Sequence, residues 1–224
     1  MDDQVFQLTP EQIHDVSRVM TEIQGLPLYP YPWNRLKRKL TNKQIDHLPL
    51  VAYGSLVNSE SAERTLSQST LLRSKPVVAF GVRRTFDYIM PENTLRYGKP
   101  IDPRARAALN VHVTGKIDDR VNGILIDLFL KDISALQRRE VDYALVPVAC
   151  MDWTNRINPF PAYILQSERR VDTHLQPHQA YYEICRDGAA QFGQEFLSLW
   201  LNTTFLGDGK TPVKEWETKE LSSE

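Results

Sequence analysis

The sequence predicts an α+β fold, a mixed, curved or barrel-like β-sheet flanked by helices, with helical N- and C-terminal extensions. Three observations point to it. From about residue 48 to residue 166, runs rich in β-branched and aromatic residues follow one another with little helical pattern between them. Helical spacing dominates instead before Gly25 and after Pro177. The 224 residues suffice for one domain with a sizeable core and added segments at both ends. The expected division is residues 1–47, a helical and Pro-rich extension packed on the core, residues 48–170, the core, and residues 171–224, a helical extension of the same domain.

Thr9-Pro10-Glu11-Gln12 reads as a helix start: Thr9 can cap, Pro10 suits the first helical position and Gln12 completes a capping box. Ile13, Val16, Met20 and Ile23 then recur at helical spacing, and Gly25 stops the helix. In GLPLYPYPWNRLKRKL the prolines forbid a regular element until Trp33, and Arg35 to Lys39 begin a short basic helix whose charges form a solvated face. LPLVAY is a buried strand and VVAFGVRRTFDYIM a long strand bent at Gly81. PENTLRYGKPIDPRAR is polar and turn-rich, a candidate surface insertion or lid. ALNVHVTGKI and VNGILIDLFL are expected to form a hairpin around Asp118-Asp119-Arg120. DISALQRREVDY is a helix, started by Asp132 or by Ser134 with Gln137, and LVPVACM and PAYILQ are strands. Beyond Pro177 a helix is interrupted near Gly188 and continues through FGQEFLSLWLNTTF to a charged tail.

Composition narrows the function classes. The formal charge is -1, with both signs scattered, so no basic field gathers nucleic acid or an acidic membrane surface. Cys150 and Cys185 sit beside apolar residues and in no metal-ligand spacing, as buried, reduced thiols of a cytoplasmic protein do. MDDQVFQLTP lacks the pattern of a secretory leader, and GILIDLFL is too short to span a bilayer. The sequence carries no HExxH, Walker loop or GxGxxG, so no metal and no organic cofactor is expected. His112 and His174 lie on or near strands and read as structural.

Chemistry concentrates in two segments. On the DISALQRREVDY helix, Ile133, Leu136, Glu140 and Tyr143 share one face while Arg138 and Arg139 point elsewhere. Glu140 is the charged member of an apolar stripe. It is either ion-paired, for instance to Arg83 or Arg84, or it sits in a partly dry pocket where desolvation makes it a general base. In YGSL, Gly54 directly after a strand permits a positive φ and close approach of a ligand, and the N–H groups of Gly54, Ser55 and Leu56 can form an anion-binding concavity. A plain tight turn uses the same residues. Ser55 has no GxSxG surroundings and no histidine placed to activate it as a nucleophile.

With both segments in hand, the chain resembles the gamma-glutamylcyclotransferase-like family, most of all its ChaC-type branch. The resemblance rests on Tyr53-Gly54-Ser55-Leu56 after the first core strand, on GVRRTFDY as the family's G-x-R-R-x-F strand, on VNGILIDL, and on Leu136, Glu140 and Tyr143 as a segment like the family's LxxxExxxY with one residue fewer before the tyrosine. It spans roughly residues 48 to 165. The sequence departs from the family in RARAALNV, where many members carry a Gly-rich approach to a strand, and in Asp142, where a Gly often precedes the tyrosine.

The resemblance implies a cofactor-independent intramolecular reaction on a small γ-glutamyl substrate. The α-amine attacks the γ-carbonyl, 5-oxoproline forms, and an amine or amino acid leaves, with glutathione the first candidate. Glu140 is implied as the general acid/base, with Tyr53, Gly54, Ser55, Leu56 and Tyr143 as substrate-binding residues. Three other readings stay open: a γ-glutamyl-binding module without turnover, an interaction protein working through the Pro-rich N-terminal segment, and an enzyme that transfers or removes a γ-glutamyl group.

Overall fold

The structure is a computed structural model and describes residues 6–91, 97–100 and 102–221. Five of the eight strands among them close a barrel in the order β1-β5-β2-β6-β7 and three form a second sheet in the order β4-β3-β8. The strands are β1 (Leu48–Ala52), β2 (Lys75–Phe80), β3 (Val82–Ile89), β4 (Ala107–Val113), β5 (Arg120–Leu128), β6 (Ala144–Asp152), β7 (Phe160–Gln166) and β8 (Thr204–Leu206). The helices are α1 (Pro10–Glu22), α2 (Asn34–Thr41), α3 (Ser59–Glu63), α4 (Gln68–Leu71), α5 (Leu130–Arg139), α6 (Gln179–Ala190), α7 (Gln194–Asn202) and α8 (Val213–Leu221). The α+β class with helices at both ends is therefore what the chain adopts.

The barrel closes where β1 and β7 pair in parallel, Leu50 opposite Tyr163 and Val51 opposite Ile164. Its other pairs are antiparallel. Val51, Ala79, Val121 and Ile164 share one face of the barrel wall, and all are excluded from solvent.

Two long extended runs divide between the sheets. VVAFGVRRTFDYIM not only bends at Gly81, it changes sheet there: β2 belongs to the barrel and β3 to the second sheet. Gly81 has φ +76, a conformation that suits glycine, and it accepts from Thr114 N at 2.8 Å while donating to Asp119 O at 2.8 Å. For the same reason β4 and β5 do not form the expected hairpin. The chain around Asp119 crosses over the Gly81 corner, so β4 pairs with β3 and β5 with β1 and β2.

At the N-terminal end the capping box is present, Gln12 N donating to Thr9 Oγ1 and Thr9 N to Gln12 Oε1. The buried face of α1 carries Val16 and Val19, whereas Ile13 lies 43 % exposed, so the apolar stripe is turned by one position from the sequence reading. Helix α2 buries Leu36 and Leu40, exposes Arg35 and Arg38 and leaves Lys37 and Lys39 half-buried. Trp33, fully buried just before it, donates from Nε1 to Tyr143 O at 2.8 Å. Thr204 and Phe205 were expected in a helix; with Leu206 they instead form a strand that pairs in parallel with β3.

Arg84 sits where the barrel, the second sheet and α7 meet, with no exposed surface. It donates to Thr204 Oγ1 (2.7 Å), Asn122 O (2.8 Å), Asn122 Oδ1 (3.1 Å) and Trp200 O (3.2 Å), and its guanidinium lies over the Trp200 ring. Burial lowers its pKa to about 9.

Candidate functional site

A cavity of about 410 Å³ opens beyond the end of β1, between the end of α5, the second sheet and α6. Tyr53, Gly54, Ser55, Leu56, Glu140 and Tyr143 all line it. The sequence-predicted residues are thus brought to one place, together with Tyr88, Tyr97, Arg138, Arg139 and Tyr181, which the sequence reading did not select.

The Gly-Ser-Leu segment leaves the barrel as a single 3-10 turn over Ser55–Val57, closed by Val57 N donating to Gly54 O at 2.9 Å. The N–H groups at the start of such a turn have no partner within it. Gly54 has φ −105, not the positive φ expected. What requires glycine is close approach: a Cβ there would lie 2.6 Å from the Tyr181 hydroxyl oxygen.

Glu140 arrives by a different local structure from the one expected. Helix α5 starts after Phe129 without a side-chain cap, because Asp132 is buried and accepts instead from Ser67 N (2.9 Å) and Thr70 Oγ1 (2.6 Å). Gln137 ties the other side of the helix to Pro32 O. The helix ends at Arg139, and Glu140 is its C-cap at φ −102, ψ 60, its N–H still donating to Leu136 O at 2.9 Å. Tyr143 follows a turn through Asp142 at φ 68, so it shares the cavity with Glu140 but not a helix face.

The charge arrangement also departs from expectation. Arg83 pairs with Asp119 at 2.7 Å and Arg84 is held by neutral acceptors; neither pairs with Glu140 among the described contacts. The neighbour of Glu140 is Arg139, whose Nε lies 3.1 Å from Oε1. Arg139 does not point away from the site. Its side chain is 4 % exposed, and it also donates to Ser55 Oγ, Ser61 Oγ, Ser61 O and Thr65 Oγ1, each at 2.8 Å.

Three phenols of the cavity are engaged with backbone. Tyr53 donates to Leu165 O (2.7 Å), Tyr143 to Leu109 O (2.9 Å) and Tyr88 to Val141 O (3.1 Å). Burial, with the charge of Glu140 adding to it, pushes Tyr53 far above the usual phenol range, and burial does the same to Tyr143 and Tyr181. These rings are neutral walls at any ordinary pH. Tyr97 donates to Ser55 Oγ at 3.2 Å and meets Tyr181 edge-on. Residues 92–96 and 101 of the run read as a lid candidate lie outside the described residues.

Among the described residues no group of three His, Cys, Asp or Glu could hold a metal ion, and no helix is long and apolar enough to cross a membrane. Cys150 and Cys185 are buried and unbridged, and burial pushes the Cys185 thiol up to about 12.

No protein-family model matches the chain, and no curated protein matches it. Solved structures do. An uncharacterized protein from Homo sapiens is 13 % identical with a TM-score of 0.50, over 70 % of this chain and 87 % of that one. YkqA from Bacillus subtilis is 14 % identical with a TM-score of 0.51 over 73 % of this chain, which spans 56 % of that protein. A gamma-glutamyl cyclotransferase is 11 % identical with a TM-score of 0.51, over 69 % of this chain and 86 % of that one. These likenesses establish a shared fold.

Proposed function

We propose that this protein is a gamma-glutamylcyclotransferase-like enzyme that converts the γ-glutamyl group of a small γ-glutamyl compound to 5-oxoproline. The observation that carries this reading is the convergence of the Glu140 carboxylate and the Gly54-Ser55-Leu56 turn on one 410 Å³ cavity, a volume suited to a tripeptide-sized ligand. The shared fold with a gamma-glutamyl cyclotransferase supports it.

In this reading Glu140 takes a proton from the α-ammonium. The freed amine attacks the γ-carbonyl carbon, and a new C–N bond closes the five-membered ring. Glu140 then returns the proton to the leaving nitrogen as the original amide C–N bond breaks, and the ring nitrogen gives its second proton to the departing amine, so that a neutral lactam and an ammonium result. The N–H groups of Ser55 and Leu56 hold the glutamyl carboxylate or the developing oxyanion, with Gly54 leaving the turn open to close approach. Tyr53 and Tyr143, locked to backbone carbonyls, form walls that hold a flexible chain in the ring-closing geometry. No step calls on a metal or organic cofactor. Within this reading residues 48–170 are the catalytic core, and residues 1–47 and 171–224 are extensions of the same domain in a cytoplasmic enzyme. The bond from Trp33 to Tyr143 O supports that division.

The motifs align best with the ChaC-type branch, which makes glutathione the first compound to test. The experiment is 5-oxoproline release from glutathione, γ-glutamyl dipeptides and γ-glutamyl amines, by wild type and by Glu140→Gln. Release by wild type and its loss by 10²-fold or more in the variant is the expected result. Release that persists in the variant removes Glu140 from the mechanism, and binding without release by either protein favours a γ-glutamyl-binding module.

A further inference from the structure

We propose that Arg139 is the positioning residue of this site, holding the Ser55 hydroxyl with its proton available only to the cavity and holding Glu140 from the same buried guanidinium. The inference rests on the cyclotransferase reading above.

An arginine has five N–H donors and no acceptor. Arg139 uses Nε toward Glu140, Nη1 toward Ser61 O and Thr65 Oγ1, and Nη2 toward Ser55 Oγ and Ser61 Oγ. All four Nη protons are taken by these hydrogen bonds and Nε lies against the Glu140 carboxylate, so no Nη–H is left as a landing point for a substrate carboxylate. It ties Glu140 at the end of α5 to the turn after β1 and to α3, three stretches far apart in sequence.

The consequence for Ser55 follows from counting lone pairs. A hydroxyl offers one proton and two lone pairs. Arg139 Nη2 takes one lone pair at 2.8 Å, and the Tyr97 hydroxyl, 3.2 Å away, takes the other. Neither partner is an acceptor in this arrangement. Ser55 is 6 % exposed and lines the cavity, so its O–H is left to donate to whatever oxygen the cavity holds. In the proposed reaction that oxygen is the γ-carbonyl, whose negative charge grows as the amine attacks. Ser55 thereby adds a side-chain donor to the backbone N–H groups, and two donors on its lone pairs make it a poor nucleophile. A pinned donor of this kind does not have to reorient during reaction.

The experiment compares Ser55→Ala, Arg139→Lys and Arg139→Gln with wild type, using the compound that wild type turns over fastest, over the accessible pH range, with thermal melts as a check on folding. Ser55→Ala is expected to lower kcat by about 10²-fold with KM little changed. Arg139→Lys keeps the charge but not the fork, and lowers kcat by about 10-fold or more without moving the acid limb of the pH–rate profile. Arg139→Gln lowers kcat and also moves that limb to higher pH, because the cation beside the carboxylate is gone. Adding Ser55→Ala to Arg139→Gln then costs little more, since the hydroxyl is already unaligned. The proposal is overturned if folded Arg139→Lys keeps wild-type kcat, if Ser55→Ala raises only KM, or if the two losses multiply. Wild type that neither releases 5-oxoproline nor binds any compound of the panel overturns the cyclotransferase reading and this role with it. Active wild type with unaffected variants overturns the role alone.

Discussion

Gly54→Ala isolates the contact that makes glycine necessary in the turn. An alanine Cβ would stand 2.6 Å from the Tyr181 hydroxyl oxygen, well inside van der Waals contact, and the next nearest atom, Tyr181 Cζ, at 3.8 Å is an ordinary neighbour. All of the overlap therefore comes from one oxygen. Overpacking of this size in a buried site costs about 1–3 kcal/mol. For a chain of this length about 2–4 °C of Tm accompanies each kcal/mol, so the variant should melt about 2–12 °C below wild type. Tyr181→Phe removes that oxygen and its hydrogen bond to the Cys185 thiol, at a cost of about 1 kcal/mol or less. In the Tyr181→Phe background Gly54→Ala should then be nearly neutral. The assay is a double-mutant cycle by thermal and urea denaturation followed by circular dichroism. Equal costs of Gly54→Ala in the two backgrounds would refute the reasoning and point back to backbone conformation.

The remaining predictions concern groups outside the cavity. His112 Nε2 lies 2.5 Å from Asp87 Oδ2, and this hydrogen bond holds the imidazole above its ordinary pKa of 6.5, against partial burial. A raised folded value means that the stabilisation is complete below pH 6.5 and is lost as pH rises through the folded pKa. His112→Leu should therefore cost most near about pH 5.5 and least near about pH 8.5 in urea titrations, and a cost that grows with pH would sink the assignment. Arg84→Met takes the guanidinium donors from the buried Asn122 backbone and side-chain carbonyls, and should destabilise by about 3 kcal/mol or more. A change within about 1 kcal/mol of wild type would mean that packing against Trp200, not hydrogen bonding, holds this junction.

The parts of the site legible in the sequence are those carried by short, local patterns. A strand that ends in Gly-Ser and a carboxylate on an otherwise apolar stripe can both be seen without knowing any tertiary contact. The capping box at Thr9 and the punctuation at Gly81 are equally local, and both hold. Glu140 was reached through a helix continued too far. Spacing alone gives no sign that the helix stops at Arg139, because Asp142 takes up the left-handed turn that Asp tolerates and Tyr143 still returns to the cavity. Arg139 was misplaced for a related reason. Its acceptors come from residues 55, 61 and 65, so nothing in its own helical neighbourhood marks it as buried. The hairpin between β4 and β5 failed because apolar alternation reports that a strand has a buried face but not which sheet it joins.

The seam between β1 and β7 sets a cost as well as a shape. Leu50 pairs with Tyr163, and the Tyr53 hydroxyl reaches Leu165 O across the same seam, joining residues more than a hundred apart in the chain. Such contacts are costly to form, because a long loop must be ordered before they return any energy. The turn at Gly54 and the carboxylate of Glu140 both precede, in the chain, the strand that closes the wall beside them. A chain interrupted before β7 would carry both halves of the proposed chemistry without the seam that walls the cavity beside them.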